Sequence, residues 1–305
     1  MKIAITGGSG FIGLKLVKVL LSQGHEVRLL SRQNNFLEGV EHFKADLCDP
    51  SDQTKLKKFL EGVDILFHCA GEIQNKNLMK SLHVGGTQRL VEAATGKVAR
   101  WVQLSSVGAY GYCRDGIVTE KSLEVPLGTY ETTKTQSDEI VRNSGIPFVI
   151  LRPSNVFGPT MTNQSLFQLV EMIRRGLFFL IGNKMAFANY VHVDDVINAL
   201  LKCGFHPNAT GNVFNLSQTI SVEQMSKALL EGLGLKATLP RIPELPLRLF
   251  VFLLGWIPGF PLTSSRIDAI TSRCRYDSKK IEEELEYTFE SSLEERFFDF
   301  TRSLN

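Results

Sequence analysis

An α/β fold, in which a doubly wound parallel sheet carries a smaller α-rich C-terminal lobe, is predicted by three features of this sequence. A short apolar run, Ile3-Ala4-Ile5, stops on the turn Thr6-Gly7-Gly8-Ser9-Gly10-Phe11-Ile12-Gly13, which restarts as an amphipathic segment. Apolar strand patterns and helical patterns then alternate over about half the chain. Polar or small residues recur at the carboxyl ends of those strands, the edge at which such sheets bind ligands.

Taken in order, the first strand feeds a helix over 11–22 whose Phe11, Leu14, Leu16, Val17, Leu20 and Leu21 form an apolar stripe. The turn between them aims free N–H groups and a positive helix end at one spot, which suits a phosphate. Gly7 or Gly8 permits the tight turn, Gly10 lets a pyrophosphate approach, and Gly13 lets helix and strand pack closely. Phe11 and Ile12 then join the glycines as cofactor-binding residues. Gly24 leads to a second strand over 26–30, so the N-terminus reads as the βαβ unit of a Rossmann-type domain. That strand ends in Ser31-Arg32, followed by the polar Gln33-Asn34-Asn35. A third strand over 42–45 closes on Asp46-Leu47, a helix spans 52–60, and a fourth strand over 63–68 ends in Cys69-Ala70-Gly71. A helix over 78–94, a strand over 101–104 ending in Ser105-Ser106, a helix over 130–143 and a strand over 148–151 complete the alternation.

Beyond Arg152-Pro153 the order changes. A helix over 164–174, a strand over 189–193, a helix over 194–202 and a strand over 212–216 are expected, then a proline-punctuated region and charged helical patterns over 279–285 and 293–301. The expected organisation is a dinucleotide-binding domain over 1–160, with 189–217 returning to it, and a substrate lobe from 161–188 and 218–305.

The bulk composition narrows the function classes. With 305 residues and 43% apolar composition the chain can bury a large core. Thirty-four basic against thirty-two acidic residues leave +2, spread without long runs, so nucleic acid is not an expected partner. The five cysteines are scattered without a C-x-x-C pair, which reads as free thiols in a reducing, cytoplasmic compartment. The first strand begins at the N-terminus, leaving no room for a signal peptide, and the longest apolar run, 249–257, is far short of the roughly 20 residues that span a bilayer. His68 and His192 sit in apolar strands and read as core residues. With no metal-ligand spacing, no metal is expected.

Tyr130 and Lys134 lie four apart on one helix face and can address the same small volume. An adjacent ammonium would lower the tyrosine pKa and make the phenol a usable acid and base. A hydroxyl at Ser105-Ser106 could hydrogen-bond the same reacting oxygen.

Together, Thr6 to Gly13, Asp46-Leu47, His68-Cys69-Ala70, Ser105-Ser106 to Tyr110-Gly111, Tyr130 to Lys134, Arg152 to Pro159 and Val191 to Asp195 resemble the extended short-chain dehydrogenase/reductase family, colinearly through about residue 216. The resemblance implies that Tyr130 is the catalytic acid/base, Lys134 lowers its pKa and holds the nicotinamide ribose, and Ser106 positions the substrate oxygen. It also implies that Asp46 and Leu47 contact adenine, that Cys69, Ala70 and Gly71 line the cofactor, and that Pro153, Asn155 and Val156 lie beside the nicotinamide. A homodimer through the helices 78–94 and 130–143 is a further implication.

Two departures stand out. Family members usually carry Asn where this chain has His83, which either substitutes for it or is a plain helix histidine. Val107-Gly108 stands where related dehydratases resemble one another in Asp-Glu, which counts against water elimination. A preference for NAD(H) would place a carboxylate at the end of the second strand. Ser31-Arg32 offers a hydroxyl and a guanidinium instead, so NADP(H) is favoured, with NAD(H) the alternative.

The leading reading is an oxidoreductase exchanging hydride between nicotinamide and a carbonyl or alcohol carbon. A nucleotide-sugar 4-epimerase using the same residues is the alternative, and a cofactor-sensing regulator is a third class. Relatives that bind a nucleotide diphosphate resemble one another in an Arg near the place of Ala188, which Arg273 or Arg275 would replace only in part. Its absence, with the apolar runs 177–181 and 245–257, points to a small, largely apolar substrate. That places the chain nearer the dihydroflavonol-reductase and hydroxysteroid-dehydrogenase branch.

Overall fold

Alternation within the first strand sets the layers of the molecule. In β1 (Lys2–Thr6), Ile3 and Ile5 enter one apolar cluster while Ala4 enters another, as the two-residue period of a strand requires. The computed structural model describes residues 1–33, 37–182, 185–236, 238–254 and 263–304. Asn34, Asn35, Trp256, Ile257, Pro258 and Pro261, which entered the sequence reading, lie outside the described residues.

Helix α1 (Phe11–Ser22) buries Leu16, Val17 and Leu20 on the Ile3/Ile5 face. It is followed by β2 (Glu26–Ser31), β3 (Val40–Lys44), α2 (Gln53–Phe59) and β4 (Ile65–His68). The expected helix over 78–94 is not uniform. A short α3 (Lys76–Met79) passes through a π-helical stretch, Lys80–Gly86, into α4 (Thr87–Ala94). Such widened turns are rare and cluster at functional sites, and this one carries His83. The alternation continues through β5 (Arg100–Leu104), β6 (Asp115–Val118), α5 (Thr129–Arg142) and β7 (Phe148–Pro153).

The rest of the chain runs β8 (Asn155–Phe157), α6 (Ser165–Arg174), β9 (Leu180–Ile181), β10 (Phe187–His192), α7 (Val193–Phe205), β11 (Asn212–Leu216), β12 (Gln218–Ser221) and α8 (Val222–Gly232). It then continues as β13 (Arg241–Ile242), α9 (Glu244–Leu254), α10 (Ser264–Thr271), β14 (Arg273–Tyr276), α11 (Lys279–Glu284) and α12 (Leu293–Arg302).

Seven strands form one sheet in the order β11-β7-β5-β4-β1-β2-β3, with every neighbouring pair parallel. The order reverses between β1 and β4, and in doubly wound sheets the crevice above that point is where a dinucleotide lies. Leu56, Phe59, Leu90 and Trp101 fill the sheet's second face, beneath α2 and α4. A separate cluster, with Phe157, Leu166, Val170, Met225, Leu229, Phe297 and Phe300, builds the smaller lobe from α6, α8 and α12.

The strand expected over 189–193 does not join the large sheet. As β10 it pairs with β8 and β12, because β11 already occupies the edge beside β7. Ile281, Leu285 and Tyr287, near the C-terminus, pack back on the Ile3/Ile5 face of the large sheet. No helix among the described residues is long and apolar enough to cross a membrane.

Candidate functional site

The glycine turn has both the room and the donors that a diphosphate needs. Gly7 adopts φ +71°, and a Cβ there would stand 2.6 Å from the backbone N of Ala70, so β1 and the turn after β4 touch at this point. A Cβ on Gly10 would meet nothing closer than the Gly7 carbonyl at 3.3 Å, which leaves that side open to the cleft. At the start of α1 no side chain caps the free N–H groups and no acidic residue occupies the first turn. A bound phosphate would complete what the chain leaves unpaired there.

Two adjoining cavities run from this turn. The smaller, of about 350 Å³, is lined by Ser31, Arg32, Asp46, Leu47, Cys69, Ala70 and Gly71. Arg89 clamps its floor, donating through Nε (2.8 Å) and Nη2 to the Leu47 carbonyl. Across it, the Glu72 carboxylate is held below its ordinary range by the N–H groups of Gln74 and Asn75, with a smaller contribution from Arg32.

The larger cavity, of about 810 Å³, is lined by Gly7, Gly10, Phe11, Ile12, Gly13, Ser106, Tyr130, Lys134, Pro153, Asn155 and Val156, and continues to Gln74, Glu131, Tyr190 and the segment 161–166. Every residue assigned to the site from sequence therefore lies on one trough. Reasoning from sequence missed Glu131, Gln74 and 161–166. Only Glu131 carried a signal, its place beside Tyr130.

At the centre, Ser105 and Ser106 separate in role. Ser105 Oγ donates to Asp138 Oδ2 at 2.6 Å and is buried. Ser106 accepts the Gly108 N–H at 3.1 Å, which leaves its own hydroxyl proton to donate into the cleft. Lys134, buried in α5, donates to the Leu104 carbonyl at 2.6 Å, and burial lowers its pKa. Asp138, one turn further along α5, is bound by the fully buried Arg152 at 2.9 Å.

The expectation that Lys134 lowers the Tyr130 pKa is not met. The phenol is pushed up to about 12, first by burial and then by the carboxylates of Glu131 and Asp138. Lysine does not offset these effects because its ammonium is turned to the Leu104 carbonyl.

His83 is tied down on both ring nitrogens. Nε2 receives the Glu72 backbone N–H at 2.9 Å, so Nδ1 must carry the proton it shares with Thr133 Oγ1 at 2.8 Å. Its ring also meets Tyr130 edge-on, with centroids 5.7 Å apart. Burial, then the Lys134 charge, lowers its pKa to about 3, so it is neutral at physiological pH. His68 is likewise held well below its ordinary value by burial, and bridges Thr6 and Thr87 beneath the site. His192 accepts the Asp194 N–H at the start of α7. No cluster of metal-ligating side chains occurs among the described residues.

Arg273 pairs with Asp115 at 2.7 Å and the Arg275 guanidinium lies over Phe187, so neither replaces the arginine expected near Ala188. Ala188 itself packs against the apolar cluster of the small lobe. The apolar runs also lie elsewhere: Phe178, Leu180, Ile181, Leu247 and Val251 are core residues, and none of them lines either cavity.

A family model described as the NAD dependent epimerase/dehydratase family matches residues 3–217. The chain belongs to that family. Within it, the chain is similar to a 4-hydroxy-2-methyl-3-oxo-4-farnesyl-3,4-dihydroquinoline-1-oxide ketoreductase of Stigmatella aurantiaca, 28% identical over 80% of this chain and 76% of that protein. It is also similar to the decarboxylating sterol-4-alpha-carboxylate 3-dehydrogenase of Mus musculus, 26% identical over 83% and 75%. Among solved structures, the UDP-glucuronic acid 4-epimerase of Bacillus cereus in complex with NAD superposes with TM-score 0.75 at 21% identity, covering 100% of this chain and 99% of that one. At that identity the likeness fixes the fold. This member of the epimerase/dehydratase family is thus an enzyme on a nicotinamide-binding scaffold.

Proposed function

We propose that the chain is an NADP(H)-dependent reductase or dehydrogenase acting on a small, weakly charged carbonyl or alcohol, with Ser106, Tyr130 and Lys134 as its catalytic set. The observation that carries this reading is the charge of the larger cavity. Among the described residues its only charged side chains are Lys134, engaged with Leu104, and Glu131. A nucleotide diphosphate would meet no arginine fork there and would face a carboxylate. The two enzymes named for ketone reduction and sterol dehydrogenation lend weight to an apolar substrate, although the apolar runs first invoked for it do not line the cleft.

When bound, the cofactor supplies or accepts the hydride. Ser106 then donates to the substrate oxygen and fixes its position, while Tyr130 transfers the proton. A phenol held protonated suits the reductive direction, because a developing alkoxide is more basic than phenolate. Pro153, Asn155 and Val156 wall the nicotinamide end, and Lys134 holds the ribose. At the other end Asp46 and Leu47 meet adenine, and Arg32 with Ser31 receives the 2′-phosphate. Residues 1–160 with 189–217 hold the cofactor in this reading, and 161–188 with 218–305 complete the substrate side. A homodimer through the segments 78–94 and 130–143 is part of it and is checked by light scattering.

The deciding experiment measures NADPH consumption across aromatic and alicyclic ketones, together with calorimetry against UDP-glucose. Turnover of a ketone without UDP-sugar binding is expected. Micromolar binding of a UDP-sugar would promote the epimerase reading.

A further inference from the structure

Helix α9 is apolar on two opposite faces, and among the described residues one of them is packed while the other is exposed. Leu247 and Val251, one turn apart, are 7% and 4% exposed and join Ile181 and Ile267 in a small core. Leu245, Leu249 and Phe252 follow at helical spacing on the far side, with 82%, 60% and 82% of their surface exposed. A surface helix ordinarily turns polar residues outward. Here the two charges of α9 are engaged along its flank, Arg248 with Glu244 and Asp268, and Glu244 also with Arg114. An apolar face of this kind marks a contact site.

The charge around it indicates what it contacts. Over 236–275, Lys236, Arg241, Arg248, Arg266, Arg273 and Arg275 stand against Glu244 and Asp268, and with Glu223, Asp115 and Arg114, which pair with this segment from elsewhere, the local balance is +3 in a chain whose whole net charge is +2. The rest of the protein is therefore net acidic, and the positive excess belongs to the segment that contains this helix. Its attraction for an anionic surface rests on that excess and not on any single unpaired cation. At 11 residues, α9 is about 16 Å long, too short to cross a bilayer and suited to lie in its interface.

We propose that α9 docks the smaller lobe on the surface of an anionic phospholipid bilayer, with Leu245, Leu249 and Phe252 entering the interface. The docking stands apart from the reductase reading, since it is read by vesicle binding and not by turnover.

The test is flotation of the full chain with vesicles of phosphatidylglycerol and phosphatidylcholine, and with phosphatidylcholine alone. The wild type should float with the anionic vesicles and be released by high salt. A Leu249→Glu/Phe252→Glu variant with an unchanged melting temperature should bind at least ten-fold less. Should that variant fail to fold, Leu245→Gln gives the milder comparison, with a several-fold loss expected. A wild type that stays unbound, or a folded variant that floats equally well, overturns the proposal. So does a wild-type dimer that the double variant converts to monomer without any vesicle binding, which would make this face a contact between copies.

Discussion

His83 should make the protein acid-sensitive in a way that a single substitution removes. Its folded-state pKa of about 3 stands against 6.5 for an ordinary histidine. Between those values the unfolded chain takes up a proton that the folded chain refuses, so stability rises with pH across this window. The contribution is fully present above about pH 6.5 and is lost as pH falls toward 3. Each pH unit inside the window removes about 1.4 kcal/mol, so passing from pH 7 to pH 5 removes about 2 kcal/mol. His83→Gln keeps an acceptor for the Glu72 N–H and carries no titrating group. Urea denaturation of both proteins at pH 7 and pH 5 isolates the effect, because His83 is the least of the causes that lower the His68 pKa, behind burial and the Lys134 charge, and both of those remain in the variant. The wild type should lose about 2 kcal/mol more than the variant. Parallel losses in the two proteins would refute the buried, neutral His83 and the hydrogen bonds deduced from it.

Tyr130→Phe should lower kcat by about 10² to 10⁴ while leaving dinucleotide affinity nearly intact, as turnover and fluorescence titration would report. Lys134→Ala should impair both turnover and cofactor binding in the same assays. Arg32→Ala should weaken NADPH binding at least ten-fold and leave NADH nearly unchanged, and equal NADPH affinities in calorimetry would remove Arg32 from cofactor choice. Arg152→Met should cost about 3–5 kcal/mol in urea denaturation, because it strands the buried Asp138 carboxylate without its ion pair.

The large sheet was legible because its information is local. A strand buried on both faces reads as an apolar run, and Ile65-Leu66-Phe67 is entirely buried. The glycine turn carries its own steric reason. The small lobe was less legible because β8, β9, β12 and β13 are two to four residues long, too short for a period to emerge. Helix α8 did carry a signal, the capping pair Ser221 and Gln224 ahead of Met225, Leu229 and Leu230, which sequence reading passed over. The π-helical turn at 80–86 had none, since the close approach that favours glycine at 86, where a Cβ would stand 3.1 Å from the Leu47 Cβ, is made across the fold.

The site divides along the same line. That Tyr130 and Lys134 share a helix face follows from their spacing. Which way the ammonium points does not, because that depends on the Leu104 carbonyl, thirty residues away in sequence. The expected sign of the Tyr130 shift failed for this reason: spacing fixed the distance between the groups but not their partners. His83 shows the converse. Its sequence position left a catalytic part and a bland one open, and the hydrogen bonds to Glu72 and Thr133 make it a brace. One end of that brace is the loop after β4 that lines both cavities, and the other is the helical turn that carries Tyr130. The folded chain resists protonation of this brace down to about pH 3, where it would loosen cofactor wall and proton donor together, so the activity of the folded enzyme should hold through the window in which stability falls and drop only near pH 3.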